Sequence, residues 1–133
     1  MHDPRPITTG LFDAGGPCLL AGRCGACGKR HFPAGTTCPY CSAADCTLIR
    51  VGPEARLRLF TVVRTAPPGY RGPVPYGFGV VELAGGLCVV TRLTEARLDR
   101  LTPGLPMRLV LEALHTDDDG RPVISYAFCP EPA

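Results

Sequence analysis

Four of the eight cysteines in this 133-residue chain stand in two chelating pairs: Cys24-Gly25-Ala26-Cys27 and, after ten intervening residues, Cys38-Pro39-Tyr40-Cys41. Together they supply four soft thiolate ligands, the donor set of a tetrahedral structural zinc site with Zn–S bonds of about 2.3 Å. Gly28, directly after the first pair, can take the left-handed backbone conformation that turns such a knuckle back and aims N–H groups at sulfur. A complete thiolate set leaves no coordination position for water or substrate, so the expected role of the metal is structural. A lone CxxC can instead be a redox pair, but that motif belongs in a βαβ setting that this sequence lacks. Cys18, Cys46, Cys88 and Cys129 have no chelating spacing. Cys46 could join the set only by displacing a member of a complete pair. Cys88 and Cys129 fall in or beside expected strands, where cysteine behaves as a small buried hydrophobe.

No other residues form a catalytic set. His2, His31 and His115 are remote from one another, and His31, between the knuckles, is expected on the ribbon surface. Asp117 to Asp119 read as a solvated hairpin tip rather than a calcium loop, and no glycine-rich phosphate loop precedes a helix. The chain alone is not expected to be catalytic. Its least ordinary segment is residues 66–79, a proline-stiffened loop that carries Pro68, Tyr70, Arg71, Tyr76 and Phe78. Prolines lower the entropy cost of holding one shape, which favours a preformed binding surface; a plain rigid connection with core aromatics is the alternative.

The elements that must position these residues fall into three regions. Residues 1–18 form an N-terminal arm in which the stretch Ile7 to Phe12 is expected to make a short helix. Residues 19–51 form a rubredoxin-like zinc ribbon, two short strands flanking the knuckles, the second over Thr47 to Val51. Residues 52–133 read as all-β. Strands are expected over 56–63, 78–83 and 87–93, the last two joined at Ala84-Gly85-Gly86, and then over 107–113 and 123–128. One helical turn over Glu95 to Leu101 is expected before Pro103-Gly104. Five strands with a short helix after the third make the pattern of an OB-fold barrel.

Hydrophobic residues make up 45% of the chain and charged residues 20%, an ordinary globular balance. No apolar run reaches the roughly 18 residues of a membrane span, and no leader pattern is written at the N-terminus. The expected compartment is therefore cytoplasmic, where thiols stay reduced and clustered cysteines favour metal over disulfides. The net charge of +2 is uneven: residues 1–66 hold eight Arg/Lys against four Asp/Glu, and residues 67–133 hold six against eight. All but one of the fourteen basic residues are arginine, whose planar fork pairs bidentately with phosphate or carboxylate; high genomic GC content would enrich arginine as well.

In chain order, G-R-C-G-A-C-G, F-P, C-P-Y-C, F-T-V-V-R-T-A-P-P-G-Y, V-P-Y-G-F-G-V-V-E-L, L-C-V-V-T-R-L-T and the closing Y-A-F-C-P resemble one family over about residues 18–130. It is the family of zinc-ribbon/OB-fold proteins associated with acyl-CoA enzymes, once known only as a domain of unknown function. The resemblance implies a non-catalytic small subunit in a hetero-oligomer. Its expected partner is a thiolase-fold subunit acting on a β-ketoacyl-CoA, with aromatic or benzylsuccinate-type degradation as one setting. A steroid side-chain aldolase or hydratase, or an acetyltransferase, is the alternative partner. Cys88 and Cys129 depart from the family pattern, in which larger residues, often arginine, are common there. For a coenzyme A thioester, Arg23, Lys29, Arg30, Arg56 and Arg58 would suit the phosphorylated head. Phe32, Pro68, Tyr70, Arg71, Tyr76 and Phe78 would suit the pantetheine arm or the partner. A competing reading, a single-stranded nucleic-acid binder, is disfavoured by the small net charge, the single lysine and aromatics gathered in one proline loop.

Overall fold

The computed structural model describes residues 3–131. Ten strands carry the chain: β1 (Arg5–Pro6), β2 (Phe12–Asp13), β3 (Cys18–Cys24), β4 (Arg30–His31), β5 (Cys46–Val51), β6 (Glu54–Val63), β7 (Tyr76–Leu83), β8 (Leu87–Leu93), β9 (Pro106–Thr116) and β10 (Pro122–Pro130). In the ribbon, β3 pairs with β5 on one side and with β2 and then β4 on the other. In the barrel, β6, β7, β8, β10 and β9 pair in turn, and β9 returns to β6 through Glu54 opposite Arg108. Closure leaves the all-β barrel few free edges. The turn between β7 and β8 is a single 3₁₀ turn at Ala84–Gly86 in which Gly85 and Gly86 both have positive φ.

Alternation along β6, β7 and β8 sends Ala55, Leu57, Val81, Leu83, Leu87, Val89 and Leu93 inward. Met107, Leu109 and Phe128 join them, and so do Leu19, Ala21 and Val51 of the ribbon, so ribbon and barrel share one apolar cluster. At the seam, Phe32 meets Tyr126 edge to face with ring centroids 5.5 Å apart, and the Arg30 guanidinium donates to the Ala84 carbonyl at 3.0 Å.

The structure corrects several expectations. Among the described residues the arm has no helix: β1 instead runs parallel to β10, and the Ile7 N–H donates to the Ile124 carbonyl at 2.8 Å. β1 is the edge strand of this sheet, a position that tolerates Pro6 without a backbone N–H, and its pairing with β10 holds the start of the arm extended. His2 lies outside the described residues. The expected turn over Glu95 to Leu101 is one 3₁₀ turn, Leu98–Arg100. His31 is buried at 6% exposure, its ring packed over Gly22, whose missing side chain makes room for it. Cys88 is exposed and Cys129 half-buried, because each belongs to a strand face that nothing fully covers.

The arm is also held electrostatically. Asp117 accepts from the Arg5 guanidinium at 2.6 Å and from the Arg121 and Asp119 N–H groups at 2.8 and 3.0 Å. The Arg5 guanidinium first, and then these N–H groups, hold its carboxyl down at about 2. A depressed folded-state value contributes stability that is fully present above the ordinary carboxylate range of about 4 and is lost as pH falls from there toward 2. Asp117→Asn should therefore flatten the acid limb of a stability-versus-pH profile in that window; an unchanged acid limb would remove this role.

Candidate metal centre and neighbouring surfaces

Cys24 ends β3, and the chain turns through Cys27 into β4; Cys38 and Cys41 make a second turn before β5. The two turns are built alike. The Gly28 N–H donates to the Cys24 carbonyl and the Ser42 N–H to the Cys38 carbonyl, both at 2.9 Å, and both residues have positive φ, 77° and 67°. Backbone N–H groups also point at sulfur: Ala26 and Cys27 at Cys24 Sγ (3.3 and 3.4 Å), Tyr40 at Cys38 Sγ (3.4 Å).

All four Sγ atoms lie within 4.8 Å of one another, with Cys24–Cys41 at 3.5 Å and Cys27–Cys38 at 3.6 Å. Four sulfurs each about 2.3 Å from a central zinc would stand roughly 3.8 Å apart, so the donor set, its spacing and its N–H partners fit the ion. The electrostatics favour a cation as well. The Cys27 N–H leads the interactions that lower Cys24 to about 6. The Ala43 N–H lowers Cys41, but hydrogen bonds with the other three thiols together with burial outweigh it and push Cys41 up to about 12. The four thiols cannot all ionise at neutral pH unless a cation offsets their mutual repulsion. Cys24, Cys27, Cys38 and Cys41 would hold the zinc, which ties both turns to β3 and β5.

Ser42 occupies the left-handed position without being glycine. Ser42→Gly should stabilise the zinc-loaded chain by about 0.5–1 kcal/mol, the left-handed penalty less the added chain entropy of glycine. A melting temperature that fell instead would show that the Ser42 side chain contributes something glycine cannot.

The remaining residues singled out in the sequence do not form one site. Arg23 is exposed on β3 opposite Arg30, and the Lys29 ammonium lies 5.1 Å from the Tyr40 ring centroid. Arg30 and Phe32 serve the ribbon–barrel seam. Arg56 and Arg58 line a groove of about 750 Å³ at the β6–β7 end of the barrel, together with Glu54 and Glu82. There Arg56 donates to the Gly104 carbonyl at 3.2 Å and Arg58 pairs with Glu82 at 3.0 Å, so the groove has no surplus of positive charge.

Tyr70, Tyr76 and Phe78 do come together. The proline loop folds back so that the Tyr70 ring lies 4.8 Å from Tyr76 and its hydroxyl donates to the Pro73 carbonyl at 2.8 Å. The three aromatics line a second cleft of about 350 Å³, mostly apolar, against Leu11 of the arm, Val90 and Arg92. Arg92 is ion-paired to Glu112 and held below the usual arginine range by burial. Pro68 is exposed at the loop surface, and Arg71 reaches Asp118 of the β9–β10 turn at 3.5 Å. Sequence reasoning passed over Leu11, Val90 and Arg92. The apolar character of Val90 on an otherwise outward-facing strand position was the one available signal.

That position belongs to an open apolar row. Leu59, Val80 and Val90 face one another across β6, β7 and β8, with Phe78 on the same face. Leu59 is 67% exposed, Val90 56% and Phe78 38%. Among the described residues no helix is long and apolar enough to cross a membrane.

Comparison with known proteins agrees with this geometry. Residues 18–45 match the family model described as the ChsH2 rubredoxin-like zinc ribbon domain, and residues 49–112 match the ChsH2 C-terminal OB-fold domain. A "DUF35 domain-containing scaffold protein" of Methanocaldococcus jannaschii is 26% identical over 115 residues, covering 85% of this chain and 82% of the relative. One of the same description from Pyrococcus furiosus is 26% identical over 113 residues, covering 84% and 82%. A solved structure, the "Ltp2-ChsH2(DUF35) aldolase", superposes with a TM-score of 0.65 at 26% identity, covering 85% of this chain and 84% of that one. With both domain models matched in chain order across ribbon and barrel, the chain belongs to the ChsH2 family of zinc-ribbon/OB-fold proteins.

Proposed function

We propose that this chain is the non-catalytic small subunit of a heteromeric acyl-CoA enzyme, with a thiolase-fold partner that makes or breaks a carbon–carbon bond. The observation that carries this is the likeness, over most of both chains, to the ChsH2 chain solved in the Ltp2 aldolase; the scaffold description of the two archaeal relatives supports it. A closed four-thiolate site suits such a subunit, since it can stiffen a docking platform and offers no position for substrate. Cleavage of an aldol-type thioester is the form of the reaction that the solved relative favours over β-ketoacyl thiolysis.

Coenzyme A contact is the finer part of the proposal. The aromatic cleft, mostly apolar and bordered by the proline loop, suits a pantetheine arm, whereas Arg56 and Arg58 are engaged with Gly104 and Glu82 in a separate groove. The balanced charge of that groove also argues against nucleic acid, which would need unpaired bases along a continuous track. Tagged protein recovered from the organism that makes it should carry a thiolase-fold or aldolase subunit in stoichiometric amount, with acyl-CoA turnover in the complex and none in this chain alone. A chain that elutes alone and monomeric would overturn the reading.

A further inference from the structure

The ribbon holds a fifth thiol that the metal set does not use. β3 and β5 run antiparallel in unbroken register from Leu19 opposite Val51 to Cys24 opposite Cys46. One step beyond, the Gly25 N–H donates to the Asp45 carbonyl at 2.7 Å. A facing pair joined in this way is of the hydrogen-bonded type, so Cys24 and Cys46 beside it form a non-hydrogen-bonded pair. The Cys24 N–H accordingly points away from β5, to the Lys29 carbonyl at 3.0 Å. In such a pair the Cα atoms stand about 4.5 Å apart with both side chains on one face. That separation lies inside the roughly 4.4–6.8 Å that a disulfide spans. Cys24 is buried, but Cys46 is half-buried and Cys27 and Cys41 are exposed, so within this pair a small oxidant from solvent meets the Cys46 sulfur first.

From this geometry we infer that Cys24 and Cys46 are a redox pair built across the metal centre, which a peroxide oxidises to a disulfide with release of the zinc. The Cys46 sulfur attacks one peroxide oxygen; the S–O bond forms, the O–O bond breaks, and the departing hydroxide leaves as water with the Cys46 proton. The Cys24 sulfur, as its bond to the metal breaks, then attacks the Cys46 sulfenic acid. The S–S bond forms, the S–O bond breaks, and the hydroxide leaves as a second water with a proton from solvent. Two thiols give up two electrons and one hydrogen peroxide accepts them. The metal is left with three ligands, one short of a structural site.

Pairs of metal-ligand sulfurs stand close as well, but a disulfide between two ligands must break two Zn–S bonds. One between Cys24 and Cys46 breaks a single Zn–S bond, because Cys46 carries no metal. Reduction by a dithiol restores all four ligands, so the change is reversible.

The zinc-loaded full chain, treated with hydrogen peroxide, reports on this through a zinc-binding dye and through peptide mapping of disulfides. The wild type should release its zinc, yield a Cys24–Cys46 cross-linked peptide and take the metal back after dithiothreitol. Cys46→Ser and Cys46→Ala should each bind one zinc before oxidation and release it at least about tenfold more slowly, as expected when the thiol that meets the peroxide is removed. Cys18→Ser should behave as the wild type. Release from both Cys46 variants at the wild-type rate, or mapping that finds only ligand–ligand disulfides, would overturn the inference. Failure of both variants to bind zinc would overturn it too, since Cys46 would then be a ligand.

Discussion

Cys24→Ser and Cys38→Ser should each abolish stoichiometric zinc binding, and the damage should reach the barrel. Metal binding at a four-thiolate site is linked to roughly 10 kcal/mol or more of folding free energy, more than a ribbon with almost no core of its own can supply by packing. Cys24 and Cys38 are the two buried ligands and their sulfurs receive the Ala26, Cys27 and Tyr40 N–H groups, so serine there also leaves those donors poorly paired. The barrel is exposed to the loss because Leu19, Ala21 and Val51 of the ribbon complete its apolar cluster and Phe32 packs on Tyr126. Zinc content measured by elemental analysis should fall from about one per chain to near zero. Solubility and assembly with the proposed partner subunit should fail together. A serine variant that forms an intact complex with only its turnover lowered would show that the metal does not support docking.

The second large effect is expected at a residue with no side chain. A Cβ on Gly79 would fall well inside contact of the Leu59 carbonyl oxygen and 3.0 Å from Phe60 Cα, and both obstacles are backbone. The reason is local: β6 shifts register against β7 between Leu57 and Leu59, which brings the bulged strand down onto the inward face of β7. Gly79→Ala should cost about 3 kcal/mol and lower the melting temperature by about 10 °C. Gly16→Ala, where a Cβ would meet nothing within 4 Å, should change stability by less than about 0.5 kcal/mol. Equal melting temperatures for the two variants would show that β6 yields at its bulge. Gly77 is confined in the same way by the Glu95 carbonyl. The PYGFG segment is thus a packing device on its glycine face and lines the aromatic cleft on the other.

The metal cluster and the barrel were legible in the amino-acid order because their information is local. Two CxxC pairs chelate whatever surrounds them, and alternation over residues 56–63 and 87–93 marks strands without knowledge of their neighbours. The arm was not legible. Pro4 and Pro6 precede Ile7 and are as compatible with the start of a short helix as with an edge strand, and the partner that decides between them, β10, lies more than a hundred residues away. The burial of His31 depended on Gly22 of the facing strand, a relation that only the β3–β4 pairing creates.

β8 shows where the boundary falls. Leu87, Val89 and Leu93 alternate with Cys88 and Val90, so both faces read as apolar, and periodicity cannot say which one is covered. Barrel closure buries the first set and leaves Cys88 and Val90 outside, Val90 in the open row with Leu59. The arginines divide for a similar reason. Arg56 and Arg58 lie close in sequence to the aromatic loop, but β6 and β7 carry them toward the opposite end of the barrel, into a groove where Glu54 and Glu82 balance them. By itself, then, the sequence determined which sulfurs can meet a metal and which segments are strands, since ligand spacing and side-chain alternation are properties of a few consecutive residues. Only the tertiary structure decided which faces are covered, which charges are paired and which fifth thiol stands across from Cys24, because each depends on strands brought together from distant parts of the chain.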